Sequence, residues 1–333
     1  MGSFKISRSI ILLLVGSFIC ACIQNKPARQ IISGEAQGTT FTIVYLGEPM
    51  PHLTGKIDSL FEAVDKSLST YRRNSKISAF NQSDAGILAD TLLLEMFKLS
   101  MLVNKYTNGY FDPTIGKIVK FWGFHPDSFT DVITFDSIID CRGINRIKIK
   151  SDSLIKSLPC VELDFNAIAQ GYTVDLISSF LEQQGIQNFI VELGGEVRAK
   201  GMKDDENFWT VGIEKPQDTG KRELMYVISL ENKSLATSGN YRKYKWKDGR
   251  KLGHTIDPFT GQPKLDSLLS VSVIAQSCAV ADGVATACMA MGLDKAYQWA
   301  SRQDSLGFIF IYSDSNNRNQ TKVLGNLNLV KVE

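Results

Sequence analysis

Glu162-Leu163-Asp164-Phe165-Asn166-Ala167-Ile168-Ala169-Gln170-Gly171-Tyr172 reads as a short strand turning into a helix, and the segments on either side of it decide the fold class. The helix continues through Val174, Ile177 and Leu181, and Asn166 is placed to cap it. Such a junction offers free backbone N–H groups, which suit phosphate. Upstream, Ile57, Leu60, Phe61, Val64 and Leu68 recur at helical spacing, as do Leu92, Met96, Leu99, Val103 and Tyr106. A strand over residues 40–45 enters through a turn at Gly38. Downstream the readings are mostly strands: 189–193 running into Gly194-Gly195, then 224–230, 269–274, 307–312 and 327–330. Helices and strands mix without regular alternation, so the expected class is α+β and not a doubly wound sheet.

Composition is that of a globular chain with a sizeable core, and a net charge of only +2 gives no basic signature for nucleic acid. The first thirty residues stand apart. Lys5 and Arg8 precede an apolar run over 10–20, too short to span a bilayer and suited to the hydrophobic core of a signal peptide. The run ends in Ile19-Cys20-Ala21-Cys22, which resembles a bacterial lipobox. The expectation is a signal peptide over 1–21, a lipidated Cys22 with a tether to 31, a catalytic unit over 32–333, and a membrane-anchored protein facing the periplasm. A plain secretory signal cut near Ala21 and an uncleaved anchor are the alternatives. Gly2 starts no myristoylation motif, because position six is Ile6. Export permits disulfides, but Cys141, Cys160, Cys278 and Cys288 show no C-x-x-C spacing. Cys278 and Cys288 flank a helical stretch too far apart for a bridge along it, and read as small buried hydrophobes.

Chemistry concentrates near the C-terminal end. Gly253-His254-Thr255-Ile256-Asp257-Pro258-Phe259-Thr260-Gly261-Gln262-Pro263 sets a histidine beside a carboxylate inside a Pro/Gly turn framework. In Asp282-Gly283-Val284-Ala285-Thr286-Ala287 the Asp and Thr share one helix face, and the small residues between them leave room for a diphosphate or for tight packing. Residues 109–116 break a helix ahead of Phe121-Trp122-Gly123-Phe124, aromatics that wall a slot for a flat ring or form a local core. The 69–75 stretch is a polar, basic connector, 238–244 a loop with two aromatics and two cations, and Gly194-Gly195 a close approach or a hairpin bend. Dinucleotide, Walker A, zincin and nucleophile-elbow motifs are absent from the sequence.

Taken together these stretches resemble the FAD:protein FMN transferases, the ApbE-type flavin transferases. The matching pieces, in order, are Gly38-Thr39-Thr40-Phe41, Leu68-Ser69-Thr70-Tyr71-Arg72, 109–116, 164–172 with Gly194-Gly195, Thr237-Ser238-Gly239-Asn240-Tyr241-Arg242 running on to His254-Thr255-Ile256-Asp257-Pro258, and 279–292. They cover about residues 34–315. The resemblance implies an α+β fold related to the T-fold, with an FAD cleft in a single catalytic unit. FAD is split there, its FMN half joins a Thr or Ser hydroxyl of an acceptor protein through phosphate, and AMP leaves. It further implies Mg²⁺ held by the Ala167 carbonyl, Asp282, Thr286 and the carbonyl of Ala285, with His254 as general base. FAD contacts fall on Tyr71, Tyr110, Phe111, Asp112, Asp164, Gln170, Gly194, Gly195, Ser238, Gly239 and Ile256.

These roles suit phosphoryl transfer, which needs positioning, charge neutralisation and a base for the incoming hydroxyl. A site with one carboxylate leaves Mg²⁺ open positions for substrate oxygens. Two departures from the family pattern stand out: Gln37 where Met is common, and Gln170 where Lys is frequent, with Arg242 or Lys243 as replacement cations. The implied partner is an exported acceptor protein of a flavin-dependent redox complex. Competing readings on the same residues are a Mg²⁺-dependent FAD pyrophosphatase and a non-catalytic FAD-binding lipoprotein. The 282–287 stretch faintly resembles an acceptor sequence too, but lacks its Ser/Thr-Gly order and reads as metal site.

Overall fold

Gln37 (φ 51°) and Gly38 (φ 72°) are both left-handed, the geometry that lets two residues close a β-hairpin with the right twist. In the computed structural model they join Arg29–Ala36 to Thr39–Leu46, from the Ala36–Thr39 pair out to Arg29–Leu46. The structure describes residues 27–125, 134–203, 205–217, 223–240, 244–247, 250–264 and 266–332. The signal-peptide stretch, Cys22, Arg242 and Lys243 lie outside the described residues.

That hairpin is one edge of an eight-stranded antiparallel sheet. The sheet continues through Phe189–Leu193, Glu196–Lys200, Ser234–Gly239, Leu268–Ala275, Gly307–Ser313 and Asn319–Leu324, each strand beside its predecessor. Strand alternation gives the sheet two apolar faces. Phe308 and Phe310 join one core cluster, Ile309 and Ile311 another. The second cluster is closed by a small sheet of Trp209–Glu214, Leu224–Leu230 and Leu329–Lys331. A further three-stranded sheet pairs Ser153–Lys156 with Gly86–Leu88 and Ile147–Lys150.

The helices are α1 (His52–Leu68), α2 (Lys76–Gln82), α3 (Thr91–Tyr106), α4 (Gly116–Phe121), α5 (Phe135–Ile139), α6 (Ala169–Gln183), α7 (Cys278–Met291) and α8 (Leu293–Ala300). Among the described residues no helix is long and apolar enough to cross a membrane. α7 lies on the Ser234–Gly239 and Leu268–Ala275 strands, its small residues buried almost all round. It meets α6 backbone to backbone: a Cβ on Gly171 would stand 2.6 Å from the Cys278 carbonyl oxygen and 2.8 Å from the Ala279 Cα.

Most of the long elements match the sequence expectations, including free, buried Cys278 and Cys288 on α7. The expected strand over 162–165 does not form. Its backbone is extended, but Leu163 pairs with the side chain of Asn81 (2.7 and 2.9 Å) and the Asp164 amide with the Pro113 carbonyl (2.7 Å), so no neighbouring strand is engaged. Asn166 is not the cap of α6. Its own amide donates to Asp164 Oδ1, and α6 starts later, after Ile168, with no side-chain cap. Ser238 and Gly239 end a strand and do not open a loop. Gly194 (φ 65°) and Gly195 (φ 115°) are the turn of a hairpin joining Phe189–Leu193 to Glu196–Lys200. Cys141 and Cys160 form a disulfide, which ties the end of α5 to the segment leading into Asp164.

Candidate functional site

Asp282 points from α7 toward the first turn of α6 and is 7% exposed. Its Oδ2 accepts the Gly171 amide at 3.2 Å, while Oδ1 has no hydrogen-bond partner among the described residues. In a regular helix that amide would serve the carbonyl of Ala167, four residues back. Diverted to Asp282, it leaves the Ala167 carbonyl without a hydrogen bond among the described residues. Burial pushes the Asp282 carboxyl up to about 7, because nothing offsets its lost hydration except that one amide. One turn along α7, Thr286 Oγ1 lies 3.1 Å from Ser238 Oγ on the adjacent strand end. Two underused oxygens and two hydroxyls are the hard donors a Mg²⁺ ion takes. Ala285 is wholly buried in the middle of α7, where its carbonyl falls within the helix's own ladder. No cluster of three His, Cys, Asp or Glu occurs among the described residues.

Beside it opens a cavity of about 530 Å³ lined by Gln37, Gly38, Tyr71, Arg72, Asn166, Ala169, Gln170 and neighbouring α1 residues. Gln37 Nε2 donates to Thr173 Oγ1 at 2.9 Å, leaving its buried Oε1 without a partner among the described residues. Gly194 belongs to the same wall: a Cβ there would stand 2.9 Å from Thr39 Cγ2 and 3.2 Å from Gln170 Nε2. The neighbouring Gly195 amide donates to Glu192 Oε1. The Tyr71 ring is 59% exposed, stacks on His125, and receives a long 3.5 Å hydrogen bond at Oη from Asn166 Nδ2. Burial foremost, and the Asp164 carboxylate next, raise the Tyr71 phenol. Asp164 itself is raised by burial, against the stabilising Asn166 amide. Arg72 is not a free cation facing the cavity, because it pairs with Glu62 (2.8 Å) and Asp65 (3.1 Å).

The His254 segment is anchored on three sides. Thr255 Oγ1 donates to Asn240 Oδ1 at 2.8 Å, and Gly253 packs on the same Asn240, one residue past the Ser238-Gly239 strand end. Ile256 is buried with Ile118 and Ile138. Trp122 Nε1 donates to the Gly261 carbonyl (2.8 Å), and Arg142 donates to the carbonyls of Pro258 (2.6 Å), Phe259 (2.8 Å) and Ile139. His254 is half-buried, with its ring centroid 6.4 Å from that of Phe124. Asp257 Oδ1 accepts the Phe259 and Thr260 amides within its own turn.

Residues 110–112 do not line the Tyr71 cavity. Tyr110 packs edge-on against Phe259 at 4.9 Å and receives a hydrogen bond from Lys295. Asp112, raised by burial, accepts the Thr114 amide and hydroxyl and borders a second cavity of about 490 Å³ together with Arg142, Pro258 and Phe259. The Phe111 ring is 2% exposed and packs near Gly283, its amide donates to Thr107 Oγ1, and its carbonyl accepts Asn104 Nδ2. The sequence reading singled out neither His125 nor Arg142, and it named Asn240 only within the 237–242 stretch. His125 directly follows the flagged Trp122-Gly123-Phe124 run, the one signal that pointed to it.

The ApbE family model matches residues 37–310. An FAD:protein FMN transferase of Vibrio cholerae is 37% identical over 306 residues, covering 89% of each chain. One of Haemophilus influenzae is 33% identical over 327 residues, covering 93% of this chain and 94% of its own. Among solved structures, the flavin transferase ApbE from Vibrio cholerae superposes with a TM-score of 0.79 at 33% identity, over 89% of this chain and 97% of that one. The apo flavinyl transferase ApbE of Pseudomonas stutzeri gives 0.80 at 31% identity, over 89% and 95%.

Proposed function

Because the chain belongs to the ApbE family and is an FAD:protein FMN transferase, an enzyme that moves flavin from FAD onto an acceptor protein, we propose that the receiving group is a Thr or Ser hydroxyl and that transfer is Mg²⁺-dependent. The observation that carries this reading is the pair of underused oxygens at the α6–α7 crossing, Asp282 Oδ1 and the Ala167 carbonyl, beside an open cavity. With the Thr286 hydroxyl they would hold the ion, which supplies charge neutralisation at the diphosphate oxygens. Tyr71, Gln170 and the Gly194-Gly195 turn orient the dinucleotide, and Ser238-Gly239 faces the same end of the sheet.

His254 takes the proton of the acceptor hydroxyl as its oxygen attacks the FMN phosphorus. A new P–O bond forms to the acceptor, the bond to the AMP phosphate oxygen breaks, and AMP leaves with that electron pair. Among the described residues Arg72, the cation lining this cavity, is paired with Glu62 and Asp65, and in this reading neutralisation falls to the α6–α7 crossing. The same reading includes export and anchoring through Cys22, with residues 32–333 as one catalytic unit at the periplasmic face of a membrane. The disulfide suits an oxidising compartment. The acceptor is then an exported subunit of a flavin-dependent redox complex.

The test is incubation with FAD, Mg²⁺ and an acceptor carrying Asp-x-x-Ser/Thr-Gly-Ala-Thr, followed by in-gel flavin fluorescence. Covalent labelling is expected, falling about 10²- to 10⁴-fold in His254→Ala. Free FMN and AMP without labelling would replace transfer by pyrophosphatase activity. FAD that stays bound and intact with Mg²⁺ present would make the protein a flavin carrier.

A further inference from the structure

Tyr71 presents a combination of features that a passive surface ring lacks. It is one of the most exposed aromatic side chains among the described residues, yet it packs on a second ring. His125 lies parallel to it, with ring centroids 5.0 Å apart and planes 18° from coplanar. His125 itself is 4% exposed, and its Nε2 is 3.4 Å from the hydroxyl of Thr70, the residue before Tyr71. At the rim of the ring, Asn166 holds Tyr71 Oη, and the Asn166 amide is held by Asp164. Tyr71 thus has one face covered by a buried imidazole while its exposed surface borders the 530 Å³ cavity.

We propose that His125 is a positioning residue that backs Tyr71 so that a flat aromatic ring of the dinucleotide substrate stacks on its open face, giving a three-layer stack of imidazole, phenol and ligand ring. The inference rests on the flavin-transfer reading above and adds a residue to it. Offset-stacked rings are favourable beyond the area they bury, and an ordered platform spares the ligand the cost of ordering it. Left unsupported, the Tyr71 side chain would rotate among staggered positions, and each binding event would have to fix it. His125 is 4% exposed and acts through Tyr71, so its effect belongs in binding and not in the chemical step. FAD carries two flat rings, isoalloxazine and adenine, and either offers the shared chemistry.

The experiment titrates full-length wild-type protein and His125→Ala, His125→Leu and His125→Phe with FAD, FMN and AMP separately, alongside steady-state transfer kinetics. In Ala and Leu the Kd and KM for FAD rise about three- to tenfold, the range an aromatic pair provides. In both, kcat at saturating FAD stays within about twofold, and Phe restores both constants. Weakening of FMN but not AMP places the isoalloxazine ring on Tyr71, and the reverse places adenine there. Unchanged FAD affinity in Ala and Leu, or a Phe variant as weak as Leu, overturns the platform even while the wild type labels its acceptor. A collapse of kcat with unchanged KM overturns it equally. Wild-type protein that binds none of the three ligands removes the flavin reading, and the platform with it. Leu fills the space of the imidazole, so a misfolded Ala variant leaves the comparison of Leu with Phe intact.

Discussion

Asp175 on α6 and Asp282 on α7 each reach across the same helix pair to the first turn of the other helix, and the two ends of that crossing are built for different purposes. Asp175 takes three hydrogen bonds at the start of α7, from Ser277 Oγ (2.7 Å), the Cys278 amide (2.9 Å) and the Ala279 amide (3.0 Å), with Arg198 at 3.6 Å. Asp282 takes one, from Gly171. The first carboxylate is saturated by the protein and serves as a helix cap and charge partner. The second is buried with one oxygen unspent, and burial pushes it up to about 7. Residue type and setting are shared. What separates the two is how many carboxylate oxygens the protein's own donors leave unengaged among the described residues.

Breaking the open end should have the largest effect. Asp282→Asn is expected to lower acceptor labelling about 10³-fold, the order of several kcal/mol of transition-state charge stabilisation. Its thermal midpoint should hold or rise, because an underpaired buried carboxylate costs stability. Breaking the saturated end should do the reverse. Asp175→Ala is expected to cost about 2–4 kcal/mol in denaturant unfolding, from three hydrogen bonds to a charged group, while labelling per folded molecule stays within about twofold. If both variants lose activity and stability alike, the two ends do not differ in kind.

Two smaller changes sharpen the contrast at the point of crossing. Gly171→Ala puts a methyl within 2.6–2.8 Å of the α7 backbone, and is expected to cost about 1–3 kcal/mol. It also shifts the amide that holds Asp282, so KM for FAD should rise with it, read from the same labelling assay. Ser277→Ala removes the hydroxyl that caps Val280 and donates to Asp175, and should cost about 1 kcal/mol in the melt with no change in labelling.

Much of this was legible in the sequence, for reasons that are local. The periodic runs of α1, α3 and α6 and the β-branched strands carry their own signal, and Asp282 and Thr286 four apart could only share a face. Most of the failures share one cause, long-range partners the sequence does not name, while the Asn166 cap is lost to a local turn. Residues 162–165 look like a strand because they are extended, but the pairing is made by the side chain of Asn81. Asn166 looks like a cap, but Asp164 takes its amide into a turn and moves the helix start along the chain. Phe121, Trp122 and Phe124 read as a slot wall or a local core, and their packing on Ile118, Ile138 and Ile256 makes them a local core. The pairing of Cys141 with Cys160 needed three-dimensional proximity that spacing does not supply.

The strand that ends in Ser238-Gly239 pairs directly with the strand beginning at Leu268, Gly239 standing opposite Ser270. Everything between them, His254 included, is therefore an excursion between two strands that lie side by side in the sheet. Long excursions add little closure entropy. Pairing of the two strands does not run through the excursion, whereas the packing of Ile256 on Ile118 and Ile138 and the hydrogen bonds from Trp122 and Arg142 do.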